Sequence, residues 1–539
     1  MAMPERELFG IRREEDLDLL LREPSCNLLV IGGGIHGAAF ARLAALNGWK
    51  TILLERDDYA SATSSRSSKM AHGGLRYLEM FDFQQVFEGI RAREGLFVSA
   101  PHLVKPREFM IPVPKGEHLL RWKLAVGLRL YDLFVRKQER RHRWVPARQQ
   151  RIPLFENRVL KGAFIYYDGL MNDARLVLEN ILSARRQGAL CFNYAEVRQV
   201  KQTGGGKVRV EWADRISGKS YETEAAVVVN CAGPWVAEAC GTLSAPLSRK
   251  IRYSQGTHLL FRRPWNGPAL FLPMEGKARY YFVWPHFAGT LVGTTEREIQ
   301  APVSQDPFPM KDEIEEVLHR LERDLPGSGL NRERLHYVFA GVRTLPLRGS
   351  RKGTVCLSRK HLWIRNGSIL SLVGGKFTTA AWTVFEGIKK AAPIVGVSSP
   401  RPFRDLPLPG AVGLSEAEAS FRKEGERRGI SPSILDRAVA RLGSRAGDLS
   451  GREAAMEVIG GTLLRGEIES AIQEDQAERL EDLMWRRLDL EYADGAGLDL
   501  LPEIAKALGK AKPELDPEKE IQNYRDRIGR LWELMGKEL

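Results

Sequence analysis

A glycine-rich turn between an apolar run and a helical pattern is the first feature that could do chemistry. Gly32, Gly34 and Gly37 form a Gly-x-Gly-x-x-Gly pattern directly after the apolar residues 27–31. Glycines at this spacing let the backbone approach a pyrophosphate, and the N-terminus of the next helix offers free N–H groups. Glu55 ends the next apolar run, where a carboxylate can accept hydrogen bonds from an adenosine ribose. The pattern predicts a dinucleotide, FAD or NAD rather than NADP; a glycine turn without a ligand is the alternative.

A hydroxyl-rich segment follows the predicted ribose-binding acid. Thr63, Ser64 and Ser68 supply hydroxyl groups, Lys69 supplies a positive charge, and His72 precedes two glycines. Hydroxyls, a cation and a tight backbone suit the ribityl chain and the pyrophosphate of a bound flavin. The segment therefore favours FAD, with a solvated serine-rich loop as the alternative.

The elements that must position these residues can be read from apolar periodicity. The apolar run at residues 27–31 leads into a helical pattern that ends near Asn47. The run at residues 369–373 leads through Gly374 and Gly375 into another helical pattern. Residues 278–293 alternate like an antiparallel sheet. Beyond the Pro- and Gly-rich residues 392–413, helical spacing predicts a separate helical domain. The runs that predict buried strands are residues 27–31, 50–55, 225–231 and 369–373.

Length and composition indicate a multidomain globular protein. A chain of 539 residues exceeds what one hydrophobic core supports, and 43% apolar and 28% charged residues exclude disorder on a large scale. The net charge of +13 attracts phosphates, anionic lipid and nucleic acid, but no nucleic-acid-binding motif accompanies it. Five cysteines without a Cys-x-x-Cys pair argue against a zinc site and a disulfide framework. No apolar run is long enough to span a bilayer, and no secretory signal is expected at the N-terminus.

Several motifs in chain order resemble those of the FAD-dependent, quinone-linked glycerol-3-phosphate dehydrogenases. The resemblance covers residues 27 to 391 and is followed by a helical C-terminal part. The motifs are ATSSRSSKMAHGGLRYLE at 62–79, SAPHLVKP at 99–106, VNCAGPW at 229–235, QGTH at 255–258, VGTTE at 292–296, GVRTL at 341–345 and GGKFTT at 374–379.

The resemblance implies a mixed α/β fold with three parts. A Rossmann-like FAD-binding domain of the glutathione-reductase and amino-acid-oxidase type is interleaved with an antiparallel β substrate domain, and a helical domain ends the chain. The expected FAD-binding parts are residues 1–105, 156–245 and 341–395. The substrate domain is expected at 106–155 and 246–340, and the helical domain at 396–539.

The reaction implied is the oxidation of sn-glycerol 3-phosphate to dihydroxyacetone phosphate. A hydride would pass to FAD and the electrons would pass on to membrane quinone. By this resemblance Arg76, Tyr77, His258, Arg343 and Arg359 bind the substrate, and His258, Arg343 and Lys376 are catalytic. His258 is the first candidate for proton acceptor and His72 the second, since imidazole titrates near neutral pH; a packing role is the alternative. The cofactor-binding residues are Gly32, Gly34, Gly37, Glu55, Thr63, Ser64, Ser68, Lys69, His72, Gly233, Gly375, Lys376 and Thr378.

Three positions depart from the family's pattern. His36 stands where asparagine is usual, Glu296 where aspartate is usual and Thr344 where proline is usual. None of these changes removes a proposed catalytic charge. They leave open a shifted substrate preference within the family.

Residues 118–137 form a basic amphipathic pattern with a wide apolar face. Such a helix can lie in a lipid headgroup region, and the basic residues after it attract anionic lipid. A helix packed on its own core is the alternative. Together with the resemblance, the pattern predicts a cytoplasmic protein held peripherally on the inner face of the cell membrane. A homodimer is one candidate assembly.

Two other functions remain open from the sequence. The chain could be an amine or amino-acid oxidase of the same superfamily, which returns electrons to oxygen and has no cluster of phosphate-binding residues. It could also be an FAD-binding regulatory or scaffold protein without turnover. Turnover on glycerol 3-phosphate separates these from a dehydrogenase.

Overall fold

The computed structural model describes residues 13–78, 82–135, 137–147, 160–241, 251–274, 280–301, 303–304, 306–347, 360–402 and 405–537. The strands are β1 (Ser25–Ile31), β2 (Thr51–Leu54), β3 (Met70–Ala71), β4 (Val104–Pro114), β5 (Arg143–Pro146), β6 (Leu160–Met171), β7 (Leu190–Phe192), β8 (Ala195–Gln202), β9 (Val208–Asp214), β10 (Ser220–Asn230), β11 (Ile251–Phe261), β12 (Ala269–Pro273), β13 (Tyr280–His286), β14 (Gly289–Gly293), β15 (Arg297–Ile299), β16 (Leu335–Pro346), β17 (Leu362–Asn366), β18 (Ile369–Val373), β19 (Val458–Ile459) and β20 (Leu463–Leu464). The helices are α1 (Arg13–Arg22), α2 (Ile35–Leu46), α3 (Phe83–Ser99), α4 (His118–Asp132), α5 (Asp173–Arg186), α6 (Lys311–Asp324), α7 (Ala380–Val395), α8 (Leu414–Arg427), α9 (Pro432–Leu442), α10 (Gly447–Ser450), α11 (Arg465–Gln473), α12 (Leu501–Ala511) and α13 (Pro517–Met535).

The first sheet is built around β1, in the order β17-β18-β10-β1-β2-β7. The strands from β18 to β7 are parallel, and β9 pairs antiparallel with residues 220–225 of β10. Successive side chains of a strand point to opposite faces, so Leu28 and Val30 pack with α2 and α7, whereas Leu29 and Ile31 pack on the other face. A parallel sheet covered on both faces is the Rossmann-like unit that the sequence predicts.

The second sheet has the order β15-β11-β14-β13-β12-β4-β6-β3, with β16 paired to β11. β13 and β14 pair antiparallel, as the alternation at residues 278–293 predicts. β6 pairs with β4 in this sheet, although the border predicted at residue 155 assigns it to the FAD-binding part. No local pattern in β6 distinguishes the two sheets, because membership depends on its distant partner. The domain borders stay a prediction.

The C-terminal part is helical from α8 to α13, apart from the short β19–β20 pair. Its apolar residues join the core of the second sheet, where Trp485 and Tyr524 pack with Tyr337 of β16. Buried ion pairs also tie it to the first sheet: Asp58 binds Arg486 and Arg487, with 2.5 Å between Arg486 Nε and Asp58 Oδ2. The C-terminal helices are therefore packed against both sheets.

The Asp58 cluster predicts a large effect of one isosteric substitution. Burial favours the neutral acid, but the charges of Arg487 and Arg486 outweigh it and hold the pKa of Asp58 below its usual value. Asp58→Asn removes the carboxylate that pairs with buried Arg487 and leaves Arg486 with its pair to Asp482, so we expect a loss of about 3–5 kcal/mol in the free energy of unfolding. Thermal denaturation followed by circular dichroism measures it.

The control for this experiment is an exposed ion pair. Glu211 lies 3.4 Å from Lys201, and both side chains are about half exposed. Glu211→Gln is expected to cost no more than about 0.5 kcal/mol. Equal melting temperatures for the Asp58 and Glu211 variants would contradict the role given to the buried cluster.

Candidate active site

A cavity of about 880 Å³ connects the turn after β1 with the second sheet. Gly32, Gly34 and Glu55 line it near the turn, and His258 and Arg343 line it at the second sheet. The residues predicted for a dinucleotide and those predicted for a substrate thus share one space.

The turn between β1 and α2 has no room for side chains. A Cβ atom at Gly37 would lie 1.8 Å from the carbonyl oxygen of Gly32, and Gly32 has a φ of +105°. Because the chain passes so close to itself, α2 begins at the cavity wall, where the Ile35 N–H donates to Ser64 Oγ at 3.0 Å. Gly34, the residue before the helix, also faces the cavity. A helix N-terminus at a cavity wall is suited to an anionic group.

Glu55 is fixed beside this turn by backbone groups. Its Oε2 accepts from the Gly33 N–H at 2.5 Å and its Oε1 from the Asp57 N–H at 2.9 Å. Burial, followed by the nearby charge of Asp57, raises the pKa of Glu55 to about 7. The carboxyl group is therefore held in place and ionises near neutral pH.

Most of the other predicted cofactor residues lie in the same wall. Thr63 Oγ1 donates to the carbonyl oxygen of Val342 at 2.7 Å and so links the hydroxyl-rich segment to β16. Gly375 has a φ of +107°, and a Cβ atom there would lie 2.6 Å from His36 Nε2. That nitrogen has no hydrogen-bond partner among the described residues. Burial lowers the pKa of His36 to about 3, so the ring is neutral. Further predicted residues in the wall are Ser64, Ser68, His72, Gly233 and Thr378.

The far end of the cavity is one face of the β11–β16 pair. The register places Ser254 opposite Arg343, Gly256 opposite Gly341, and His258 opposite Phe339. Alternate residues of a strand share a face, so His258 and Arg343 project to the same side. A Cβ atom at Gly256 would lie 2.4 Å from Arg343 Nη2. The glycine therefore gives the guanidinium group room to lie across the strand, where Arg343 donates to Thr294 Oγ1 at 3.1 Å.

His258 is an enclosed, neutral imidazole. The side chain is 1% exposed, its ring stacks on Phe339 at 4.9 Å, and its Nε2 lies 2.9 Å from Ser68 Oγ. Burial, then the charges of Arg343 and Lys69, hold the pKa of His258 well below its usual value. A neutral imidazole is the form that can accept a proton.

Lys376 is held from the side of α3. Its Nζ donates to Gln85 Oε1 at 2.5 Å and lies 3.8 Å from the centre of the Tyr77 ring. Gln85 in turn donates to Asp82 Oδ2 at 2.7 Å. Lys376 and Arg343 are thus fixed cations of the cavity wall, which also contains Arg56 and Arg66.

Three sequence-predicted residues are not brought to this site by the described structure. The side chain of Lys69 is buried behind the wall, where its Nζ pairs with Asp173 at 2.7 Å, so it is not among the wall residues. The side chain of Arg76 and all of Arg359 lie outside the described residues. Sequence reasoning missed Gln85, which no motif marks. It also gave no role to Thr294, although its motif VGTTE was noticed.

Known proteins are similar to this chain over most of its length. The family model described as DAO, FAD dependent oxidoreductase, matches residues 27–381. A glycerol-3-phosphate dehydrogenase of Synechocystis sp. is 31% identical over 94% of this chain and 97% of the relative. A D-erythritol 1-phosphate dehydrogenase of Brucella abortus is 31% identical over 87% of this chain and 95% of the relative.

A solved structure has the same fold. The glycerol-3-phosphate dehydrogenase from Bacillus halodurans complexed with FAD superposes with a TM-score of 0.76, at 23% identity, over 98% of both chains. The glycine turn, Glu55 and the start of α2 fit the dinucleotide that the family uses. The chain therefore belongs to the FAD-dependent glycerol-3-phosphate dehydrogenases, within the larger family of FAD-dependent oxidoreductases, and FAD is its cofactor.

Proposed function

We propose that this protein oxidises sn-glycerol 3-phosphate to dihydroxyacetone phosphate and passes the electrons to membrane quinone. The observation that carries the proposal is the single cavity that joins a dinucleotide cradle to a neutral His258 and to the cations Arg343 and Lys376. An amino-acid oxidase needs no second cation for a phosphate. The names of the relatives from Synechocystis and Brucella support a polyol phosphate as substrate.

The cofactor would be held at the first sheet. FAD, when bound, supplies the oxidant that accepts a hydride from the substrate carbon. The start of α2 beside Gly34 would bind its pyrophosphate, and Glu55 would accept hydrogen bonds from its ribose. His36 also lines this cavity, with its buried Nε2 against Gly375. Thr378 and Gly375 would line the same space from the segment between β18 and α7.

Two cations would hold the substrate phosphate and balance charge. Arginine binds phosphate with two parallel hydrogen bonds, and Arg343 is already oriented by Thr294. Lys376 adds a positive charge that would stabilise negative charge developing in the cavity. Tyr77, whose ring contacts Lys376, would orient that ammonium group.

His258 would accept the proton of the substrate hydroxyl. Its pKa is lowered by burial and by the charges of Arg343 and Lys69. A phosphate dianion bound to Arg343 offsets one of these two charges, so substrate binding would raise the pKa of His258 and make it a stronger base. The base would thus act mainly when the phosphate is in place.

Helix α4 would attach the protein to the inner face of the cell membrane. Among its residues only Leu128 and Tyr131 are buried, whereas Leu119 and Trp122 are 67% and 69% exposed. Val126 is also exposed, and Arg121, Lys123 and Arg129 lie on the same helix. Apolar side chains beside basic ones suit the headgroup region of an anionic bilayer. No helix among the described residues is long and apolar enough to cross a membrane.

Turnover on glycerol 3-phosphate tests the proposed function. We expect the yellow holoenzyme to bleach on addition of substrate and to be reoxidised faster by a quinone analogue than by oxygen. Arg343→Ala is expected to raise KM by roughly 10- to 100-fold, because a hydrogen bond to a charged group contributes about 1.5–3 kcal/mol. Steady-state kinetics and the flavin spectrum measure both.

A surface arginine serves as the control for this measurement. Arg297 pairs with Asp312 at 2.7 Å, is 42% exposed and lies outside the cavity wall, so Arg297→Ala should keep the KM of the wild type. No bleaching with glycerol 3-phosphate would refute the substrate. Flavin loss in Arg343→Ala with unchanged KM would refute the phosphate contact.

The raised pKa of Glu55 predicts a pH dependence of FAD binding. A ribose hydroxyl binds the ionised carboxylate, and the folded apoprotein has its carboxyl group neutral below a pKa of about 7. The dissociation constant for FAD should therefore rise up to about tenfold per pH unit as the pH falls below 7. Fluorescence titration of apoprotein with FAD at pH 5 to 8 measures it.

Glu55→Gln is the matched variant, because it keeps the shape and removes the titration. We expect weaker binding of FAD that changes little over the same pH range. A parallel pH dependence in wild type and variant would show that another group is responsible.

Vesicle binding tests α4. Replacing Trp122 and Val126 by Ser should weaken binding to vesicles with anionic lipid by at least about tenfold, since each buried apolar side chain contributes about 1.5–3 kcal/mol. Turnover with a soluble acceptor should persist. The control replaces Leu406 and Val412, which are 46% and 62% exposed outside α4. If turnover and folding are lost together with binding, α4 is a core helix instead.

A further inference from the structure

His258 belongs to the cavity wall, but its neighbours leave little of its ring accessible. Only 1% of the side chain is exposed, Phe339 covers one face of the ring, and a Cβ atom at Gly293 would lie 2.3 Å from its Cδ2. Trp284 lies 6.1 Å away, edge to face. The Nε2 atom is covered by Ser68 Oγ at 2.9 Å, and Ser68 is itself a residue of the cavity wall. A substrate hydroxyl that approaches His258 from the cavity therefore meets Ser68.

Ser68 has the groups that a proton relay requires. A serine hydroxyl can donate one hydrogen bond and accept others at the same time. The bond to Ser68 is the one side-chain hydrogen bond of His258 among the described residues, since Nδ1 has no partner there. Ser68 lies partly exposed in the cavity wall, so its remaining lone pairs are accessible from the cavity.

We propose that Ser68 is a catalytic residue whose hydroxyl relays the substrate's proton to His258 Nε2. The proposal rests on the function proposed above. The O–H bond of the substrate breaks and its proton bonds to Ser68 Oγ, while the former Ser68 proton bonds to Nε2. The electron pair of the substrate O–H forms the carbonyl as the C–H hydride leaves for FAD. Serine ends as it began, and the imidazole carries the proton until it is released.

The relay changes the role of Ser68. By resemblance, Ser68 is a cofactor ligand, which would make its hydroxyl matter for FAD affinity. As a relay, its hydroxyl matters for the rate of oxidation in enzyme already saturated with FAD. These two roles predict different changes after the same substitution.

The experiment uses the holoenzyme and the variants Ser68→Ala, Ser68→Thr, His258→Ala and the double variant Ser68→Ala/His258→Ala. Flavin reduction by glycerol 3-phosphate is followed by stopped flow, with the FAD dissociation constant and the KM measured separately. Ser68→Ala should lower the reduction rate by roughly 100-fold, the lower range for general base catalysis, with KM and FAD affinity close to wild type. Ser68→Thr should keep most of the rate because it keeps the hydroxyl.

The double variant separates a relay from two independent roles. If both residues handle one proton, the double variant should be no slower than His258→Ala alone, because groups that act as a unit are not additive. If the double variant reduces its flavin more slowly than His258→Ala by the same factor that Ser68→Ala shows alone, the relay is wrong. A Ser68→Ala enzyme that reduces its flavin at the wild-type rate once FAD is saturating would also overturn the relay.

Failure of the relay is distinguishable from failure of the proposed function. If the wild type does not reduce its flavin with glycerol 3-phosphate, the proposed function fails and the relay for that substrate fails with it. If the wild type is active and Ser68→Ala is equally fast, only the relay fails. Unchanged FAD content and melting temperature in Ser68→Ala exclude a folding defect as the cause of a lower rate.

Discussion

The absence of a side chain at Gly37 is the constraint on which the rest of the site depends. With the Gly32 carbonyl oxygen only 1.8 Å from where a Cβ would stand, any other residue pushes α2 away from β1. The helix N-terminus would then leave the cavity wall, and the Glu55 contact with the Gly33 N–H would open. In the proposed site, close backbone packing rather than a charged side chain would thus fix the place of the cofactor's anionic part.

Charged and neutral groups line one cavity. Glu55 is the acid beside the glycine turn, and Arg343 and Lys376 are cations of the wall. His258, on the same strand pair as Arg343, stays neutral, because burial and two nearby cations disfavour its charged form. Under the proposed function, a neutral base would leave the positive charge of these cations available to an anionic substrate. The difference between the neutral imidazole and its charged neighbours follows from burial as much as from the identity of the residues.

The strands of the first sheet could be predicted from local sequence patterns. Features that depend on contacts between distant residues could not. Residues 369–373 coincide with β18, and residues 27–31 lie within β1, because apolar runs bounded by glycine report their own environment. The α/β fold and the FAD family were predicted correctly. The membership of β6, the burial of Lys69 against Asp173 and the Gln85–Lys376 contact all depend on residues far away in the chain. No periodicity within one segment encodes such pairings.

The pairing of β11 with β16 has a consequence for how the family can vary. His258 and Arg343 share a face only because Ser254 stands opposite Arg343 and His258 opposite Phe339. A single inserted or deleted residue between positions 254 and 258, or between 339 and 343, would turn one of the two side chains to the opposite face. A substitution in these segments keeps His258 and Arg343 on one face, whereas a change of length by one residue does not. The side-chain register of this strand pair therefore restricts insertions and deletions more strictly than it restricts substitutions.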